Sequence, residues 1–273
     1  SQHDSTGWTY AERVVAGTQP AAKPLLYACR RALEDRENFT GKDTKFYYDT
    51  DAANRCIKFF GYLNHLKGPL ANTPLELADW QIFIVCQLYG WMRSSDGYRR
   101  YRTAYVEVPR KSGKSTFCSG LTLYGLIADR ENAAEVYAAA TTRDQARIVH
   151  GDAQQMVKKS PQLLQHLKVH RSAILHDASG SKFEPLSSDA GSLEGRNPSF
   201  SVVDELHVHK TSEIWDVLNV ASGARAQPII FAITTAGTNR EGICYELREY
   251  CLKVLDPHLD VEDDTFFAAI LAI

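Results

Sequence analysis

Hydrophobic and polar positions alternate along this chain in two rhythms. In residues 1–95 the apolar positions recur at three- and four-residue intervals, which predicts helices at about 25–37 and 52–66. A third, strongly apolar helix is expected at 80–92, behind a turn and start signal at Asn72, Thr73 and Pro74. Residues 1–24 are polar and carry Gly17, Pro20 and Pro24, so a mobile arm is expected there. From Tyr101 the rhythm changes to short apolar runs alternating with helical stretches. Strands are expected at about 103–108, 134–140, 172–176, 181–187, 199–204 and 228–235, and helices at about 114–129, 142–159, 213–222 and 241–255. That alternation predicts an α/β fold with a mainly parallel central sheet flanked by helices, under an N-terminal helical layer. Residues 256–264, with Asp256, Asp260, Glu262, Asp263 and Asp264, read as an acidic linker. The apolar run 266–273 breaks off without a polar cap, which suggests that the natural chain continues. The expected organisation is an arm and helical subdomain at 1–95, a core at 96–255, and the linker with a final strand at 256–273.

Candidate chemistry concentrates in residues 106–116, Val-Glu-Val-Pro-Arg-Lys-Ser-Gly-Lys-Ser-Thr, where an apolar run enters a turn and a helical pattern follows at once. A nucleotide phosphate needs that arrangement. Backbone N–H groups of Arg110, Lys111, Ser112, Gly113 and Thr116 can wrap the phosphates at a helix N-terminus. Lys114 can reach the β/γ oxygens, and Ser115 can offer its hydroxyl to Mg²⁺. The pattern departs from G-x-x-x-x-G-K-[ST] in having Val108 where a glycine is usual, and Gly-Lys-Ser alone is short enough to arise by chance. Its partner is Phe200-Ser201-Val202-Val203-Asp204-Glu205, an apolar strand that ends in two adjacent carboxylates. Asp204 can hold a metal through water, and Glu205 can polarise an attacking water as general base.

The 273 residues are 44% hydrophobic and 23% charged, ordinary for a globular protein, and the net charge of −2 gives no global case for nucleic-acid binding. DNA contact would need a local patch, or a ring of subunits presenting the same few basic residues. Lys158-Lys159 and Arg99-Arg100 are short basic pairs expected on the solvated surface. The six cysteines, Cys29, Cys56, Cys86, Cys118, Cys244 and Cys251, form no C-x-x-C pair and no zinc spacing, which suits buried reduced thiols in a cytosolic protein. His207 and His209 alternate after the acid pair without the carboxylate or cysteine spacing that would complete a metal site. No signal-peptide pattern opens the sequence, and its apolar runs fall far short of a membrane span.

Other residues can serve a phosphate site. Thr235, with Thr234 close behind, ends an apolar strand about thirty residues past the acid pair and can sense a γ-phosphate or orient water. Gln81 offers a donor and an acceptor that suit an adenine edge. Arg110 in the loop, Arg196 on the turn before the acid-bearing strand and Arg143 at a helix start are the candidates to stabilise charge in phosphoryl transfer.

With these residues in view, the chain resembles the N-terminal ATPase region of the large terminase subunit of tailed double-stranded DNA bacteriophages. The resemblance runs from about residue 46 onward. It rests on Ala78-Asp79-Trp80-Gln81, Leu88-Tyr89-Gly90-Trp91, Val108-Pro109-Arg110-Lys111-Ser112-Gly113-Lys114-Ser115, Ala139-Ala140-Thr141-Thr142, Asp144-Gln145-Ala146, Val203-Asp204-Glu205-Leu206-His207 and Thr234-Thr235-Ala236. Arginine in place of glycines in the phosphate loop is a habit of that family. The resemblance implies a P-loop NTPase of the ASCE type, with an extra strand between the phosphate-loop strand and the acid strand. It implies ATP and Mg²⁺ as ligands, with Lys114 and Ser115 on phosphate and metal, Asp204 on metal, Glu205 as catalytic base and Gln81 at adenine. Thr234 and Thr235 would lie in the motif that couples hydrolysis to movement, and Arg196 would be the finger reaching the next subunit's site. The implied partners are double-stranded viral DNA contacted through its backbone, the portal protein, the small terminase subunit and further copies in a ring. The implied location is the host cytoplasm, at the procapsid portal. Full-length members carry a C-terminal nuclease whose carboxylate cluster has no counterpart in this sequence, so no DNA cleavage is expected.

Two other classes share parts of the pattern. A helicase-like ATPase would need a second recombinase-like domain, and a nucleotide-binding docking module would lack turnover on its own. A small-molecule kinase fits less well, because Glu205 activates water that a kinase excludes.

Overall fold

The computed structural model describes residues 2–41, 43–188, 195–209, 211–236 and 240–271. Ala272 and Ile273, the last two residues of the apolar run 266–273, lie outside the described residues.

The N-terminus is not an arm. Residues Ser5–Ala16 form helix α1, with Gly7, Trp8, Tyr10, Ala11 and Val14 buried at the spacing of one helical face. Gly17 closes it at φ 80°, where its N–H reaches the carbonyls of Arg13 and Val14. Helix α2, Lys23–Asn38, starts with Pro24 in its first turn, where a missing N–H costs nothing. The glycine and that proline are therefore the punctuation between two helices.

Strand β1, Phe46–Tyr48, leads into α3, Thr50–Phe59, whose first turn is capped by the Asp49 carboxylate accepting from the Ala52 N–H at 3.0 Å. Helix α4, Asp79–Gly90, is buried from Gln81 to its end, and β2, Trp91–Arg93, pairs antiparallel with β1. The main sheet then begins. Strand β3 is Thr103–Val108 and α5 is Lys114–Leu123, continued by a π-helical turn at Tyr124–Ala128. Strand β4, Glu135–Ala140, precedes α6, Arg143–Lys158, and the short α7, Pro161–Leu164. A small meander follows: β5 at Lys168–Val169, β6 at Ile174–His176 and β7 at Ser181–Ser187. Strand β8, Phe200–Asp204, α8, Glu213–Ala221, β9, Ile229–Thr235, α9, Ile243–Leu255, and β10, Phe266–Ile270, complete the order.

The eight-stranded sheet runs β10-β3-β9-β8-β4-β7-β6-β5, parallel from β10 to β7 and antiparallel at β6 and β5. Strand β9 sits between β3 and β8, which separates the phosphate-loop strand from the acid strand by one. Register places Val108 opposite Thr235 and Asp204 opposite Ile233, so loop, acid and threonines share one end of the sheet.

Alternation along the strands divides the core. Val106, Val108, Val202, Phe231 and Ile233 join one apolar cluster with Phe117 of α5 and with Trp8, Phe60 and Phe83 of the N-terminal layer. Tyr105, Tyr137, Val203, Ile230 and Ala232 face the other cluster with α8 and α9. Each large apolar side chain so buried contributes about 1.5–3 kcal/mol, which holds the N-terminal layer on the α5 side of the sheet.

The pair Arg99-Arg100 is internal and not solvated. Arg99 binds the Asp129 carboxylate at 2.5 Å and the Gln227 carbonyl at 2.8 Å. Arg100 is 1% exposed, pairs with Asp35 at 2.7 Å, and lies 4.4 Å from the ring centroid of Phe46 and 4.7 Å from that of Tyr101. Residues 256–264 are also held. Tyr250 donates to Asp263 at 2.5 Å, Arg31 donates to the Asp263 and Phe266 carbonyls, and Lys45 pairs with Asp264. Lys158 and Lys159 are on the surface as expected, and among the described residues no helix is long and apolar enough to cross a membrane. Cys29, Cys56, Cys86, Cys118 and Cys251 are buried free thiols, and Cys244 is half-buried.

Candidate nucleotide site

The turn after β3 is built to expose backbone N–H groups. Lys111 takes φ 61° and Gly113 φ 80°, and α5 begins at Lys114. A left-handed non-glycine residue costs on the order of 1–3 kcal/mol, a strain that clusters at ligand-binding loops. Residues Pro109, Arg110, Lys111, Ser112, Gly113, Lys114, Ser115 and Thr116 line a cavity of about 500 Å³, whose far wall is Glu205, His207 and Thr235.

Lys114 spans that cavity's edge. Its ammonium donates to the Asp204 carboxylate and, at 2.5 Å, to Glu205 Oε1. Burial works to lower the Lys114 pKa, but the Asp204 charge and the hydrogen bonds to both acids outweigh it and raise the group above its ordinary value. Burial pushes the Asp204 carboxyl up, against the pull of Lys114. Glu205 stands at φ 50°, ψ 50°, another left-handed non-glycine residue, and its N–H bonds Asp204 Oδ1 at 2.8 Å. Its second oxygen, Oε2, lies 3.1 Å from His207 Nδ1 and accepts from the Thr235 hydroxyl at 3.4 Å.

Ser115 lines the cavity while Asp204 sits at its edge on Lys114. A hydroxyl and a carboxylate are hard oxygen donors, too few for an all-protein cage, and suit Mg²⁺, which keeps water and phosphate ligands. The acid pair already demands a cation, here supplied by Lys114, so the donor set fits a divalent ion. Among the described residues no three His, Cys, Asp or Glu side chains group as metal ligands.

Gln81 is buried in the first turn of α4, and its Oε1 accepts from the Ala78 N–H at 2.9 Å. It borders a second cavity of about 240 Å³ with His65, Leu75, Ser112, Gly113 and Phe117, beside the phosphate loop. The apolar and amide lining suits a planar base. Thr235 joins the main cavity, whereas Thr234 is fully buried and bonds His207.

The arginines separate. Arg110 is exposed on the loop with no ion-pair partner among the described residues. Arg143 is exposed at the start of α6, outside the loop cavity. Arg196 precedes β8, at the end opposite Asp204, and pairs with Glu184 at 3.2 Å beside the Tyr137 ring. The sequence reading set His207 aside as an incomplete metal ligand. The signal it carried was its spacing, two residues beyond the catalytic-base candidate.

Residues 79–253, well over half of the chain, match the family described as terminase large subunit, ATPase domain. The chain belongs to this family. Among curated relatives, the terminase large subunit of Enterobacteria phage HK97 is 23% identical over 198 residues, covering 71% of this chain and 38% of that protein. Protein YmfN of Escherichia coli K12 is 39% identical over 80 residues, 29% of this chain and 17% of that one. The crystal structure of the HK97 bacteriophage large terminase superposes with a TM-score of 0.65 at 21% identity, covering 77% of this chain and 43% of that chain. The chain thus spans less than half the length of each of these relatives. The structural likeness and the strand order give the fold: a P-loop NTPase of the ASCE type, with β9 as the intervening strand of a terminase ATPase domain.

Proposed function

We propose that this chain hydrolyses ATP to drive double-stranded viral DNA into a procapsid, as the ATPase part of a packaging motor. The observation that carries the reading is Lys114, held between Asp204 and Glu205 at the C-terminal ends of two parallel strands, β3 and β8, one strand apart. Entering phosphate competes for the ammonium. As Lys114 turns to the β/γ oxygens, it frees the two carboxylates it now neutralises. Ser115 and Asp204 would then hold Mg²⁺, which neutralises phosphate charge when bound. Glu205 takes a proton from the attacking water, and Thr235 beside it orients that water or senses the γ-phosphate. Backbone N–H groups of residues 110–116 cradle the phosphates, and Gln81 meets the base through its free amide N–H.

Arg110, already on the loop, serves its own site. Arg196 is at the wrong end of β8 for its own phosphate and acts only on a neighbouring subunit, after leaving Glu184. A ring of copies on the portal in the host cytoplasm, with the small subunit as a further partner, supplies that neighbour. Its DNA contacts are to backbone phosphates and indifferent to sequence. The functional partition is a helical layer at 1–95, the ATPase core at 96–255 and a return segment at 256–273.

Steady-state ATP hydrolysis by wild type and Glu205→Gln, across protein concentration and with or without DNA, tests this. The variant is expected to bind ATP and lose about 10²- to 10⁴-fold in turnover. Wild-type turnover should climb with concentration as neighbours complete each site. Normal hydrolysis by Glu205→Gln removes the base assignment, and no wild-type turnover under any condition leaves a nucleotide-binding module.

A further inference from the structure

We infer that His207 is a positioning residue: its ring, anchored through Nδ1–H to Thr234 at the end of β9, lies against the catalytic-base carboxylate of Glu205 and keeps it in place. The inference rests on the ATPase reading above.

The hydrogen bonds fix the ring's role. Thr234 has one hydroxyl proton, and its Oγ1 donates to the Thr235 carbonyl at 3.1 Å. The same oxygen accepts from the His207 backbone N–H at 3.3 Å and lies 2.8 Å from His207 Nδ1. Glu205 Oε2, 3.1 Å from that nitrogen, is a carboxylate oxygen and can only accept. Both neighbours of Nδ1 are therefore acceptors, so Nδ1 carries the proton: it donates to Thr234 Oγ1, and Glu205 Oε2 lies in electrostatic contact beside that bond. The anchor is internal: Thr234 is fully buried, and its hydroxyl faces the Thr235 carbonyl and the Cys244 thiol.

The arrangement matters because Glu205 is held from two sides. Lys114 grips Oε1, and His207 with Thr235 grips Oε2. A phosphate that draws Lys114 away releases the first grip only. Orientation of the base then depends on the second, at a left-handed backbone position that opens the 3₁₀ turn Leu206–Val208. Through His207 the carboxylate also follows the end of β9, the strand bonded to both β3 and β8. A displacement of that strand end reaches the base through the imidazole as well as through the Thr235 hydroxyl.

Two experiments on the 273-residue chain decide it. In the nucleotide-free protein, ¹⁵N spectra of the histidine rings should show His207 as the Nδ1–H tautomer, and Thr234→Val should shift that resonance. An Nε2–H tautomer there overturns the inference. In steady-state kinetics, His207→Ala should lower kcat on the order of 100-fold through misplacement of the base, with KM and ADP affinity within about twofold of wild type. His207→Asn puts an amide N–H near the place of Nδ1 and should recover most of kcat, whereas His207→Gln, which mimics Nε2, should not. Unchanged kcat in His207→Ala, or equal rescue by Asn and Gln, overturns the inference. Wild type and Glu205→Gln run in parallel: if they behave as proposed while the His207 variants are normal, only the positioning role falls. If wild type does not turn over, the ATPase reading falls and takes this role with it.

Discussion

Lys114 and Arg100 each stand between two carboxylates. Lys114 faces Asp204 and Glu205, and Arg100 faces Asp35 and Asp264. Their exposures are nearly the same: 9% for the Lys114 side chain against acids at 13% and 35%, and 1% for Arg100 against 14% and 34%. Burial does not distinguish them. Arg100 is a planar fork whose Nε is also spent on the Asp264 carbonyl at 2.8 Å, with the rings of Phe39, Phe46, Trp91 and Tyr101 around it. Arg100 and both of its acids also line a cavity of about 500 Å³, but the donors of the fork are already tied to Asp35 and the Asp264 carbonyl and its faces are covered by the rings, so it has no freedom to turn. Lys114 is a compact charge on a flexible stem at the rim of a 500 Å³ cavity, where phosphate oxygens can take over from the acids. An ion pair becomes a working part when one member has somewhere else to go.

The largest expected effect breaks the open pair. Lys114→Ala should abolish ATP turnover and most nucleotide affinity while leaving thermal stability near wild type, because the freed acids can take up protons. Calorimetric ATP binding and a melting curve check both halves, and normal hydrolysis would remove the phosphate-loop assignment. Arg100→Ala should do the reverse. Losing a buried, hydrogen-bonded cation costs about 3–5 kcal/mol, so urea unfolding should show a large drop in stability while the protein that stays folded still binds nucleotide. Equal losses of binding in the two variants would dissolve the distinction.

The smallest effect concerns a buried polar group with no ion pair. His150 is 1% exposed, its Nε2 donates to the Phe183 carbonyl at 3.1 Å, and burial lowers its pKa from 6.5. The unfolded chain therefore takes up a proton more readily than the folded one. Stability is full above pH 6.5 and declines as pH falls toward the lowered folded value. Denaturation midpoints between pH 7 and 5 should show that slope, and His150→Gln should flatten it. His209, buried with its pKa lowered in the same way, should leave a residual slope.

The strands that build the site were legible because they are buried on both faces: β3, β8 and β9 read as near-continuous apolar runs ending in the loop, the acids and the threonines. Their order in the sheet is not a local property and came from the resemblance. Helix α1 was missed because Gly17, Pro20 and Pro24 stand close together, and breakers between two helices look the same as breakers in a loose arm. Strands β1 and β2 are three residues each, too short to show a period. Arg99 and Arg100 were placed in solvent because their partners Asp35, Asp129 and Asp264 lie 30 to 164 residues away. The loop, Asp204 and Glu205 needed only their own neighbourhoods. The linkage of His207 to Thr234 spans 27 residues and exists only once β9 is threaded beside β8.

That threading has a mechanical consequence. A strand bonded along both edges cannot creep. Sliding by one residue would turn every side chain to the opposite face, and the next register that keeps the pattern is about 6.6 Å away. Strand β9 is bonded to β3 through six residue pairs and to β8 through five. It can pass force between its neighbours only by twisting or bending as a plank does, so a displacement that begins here starts as a rotation.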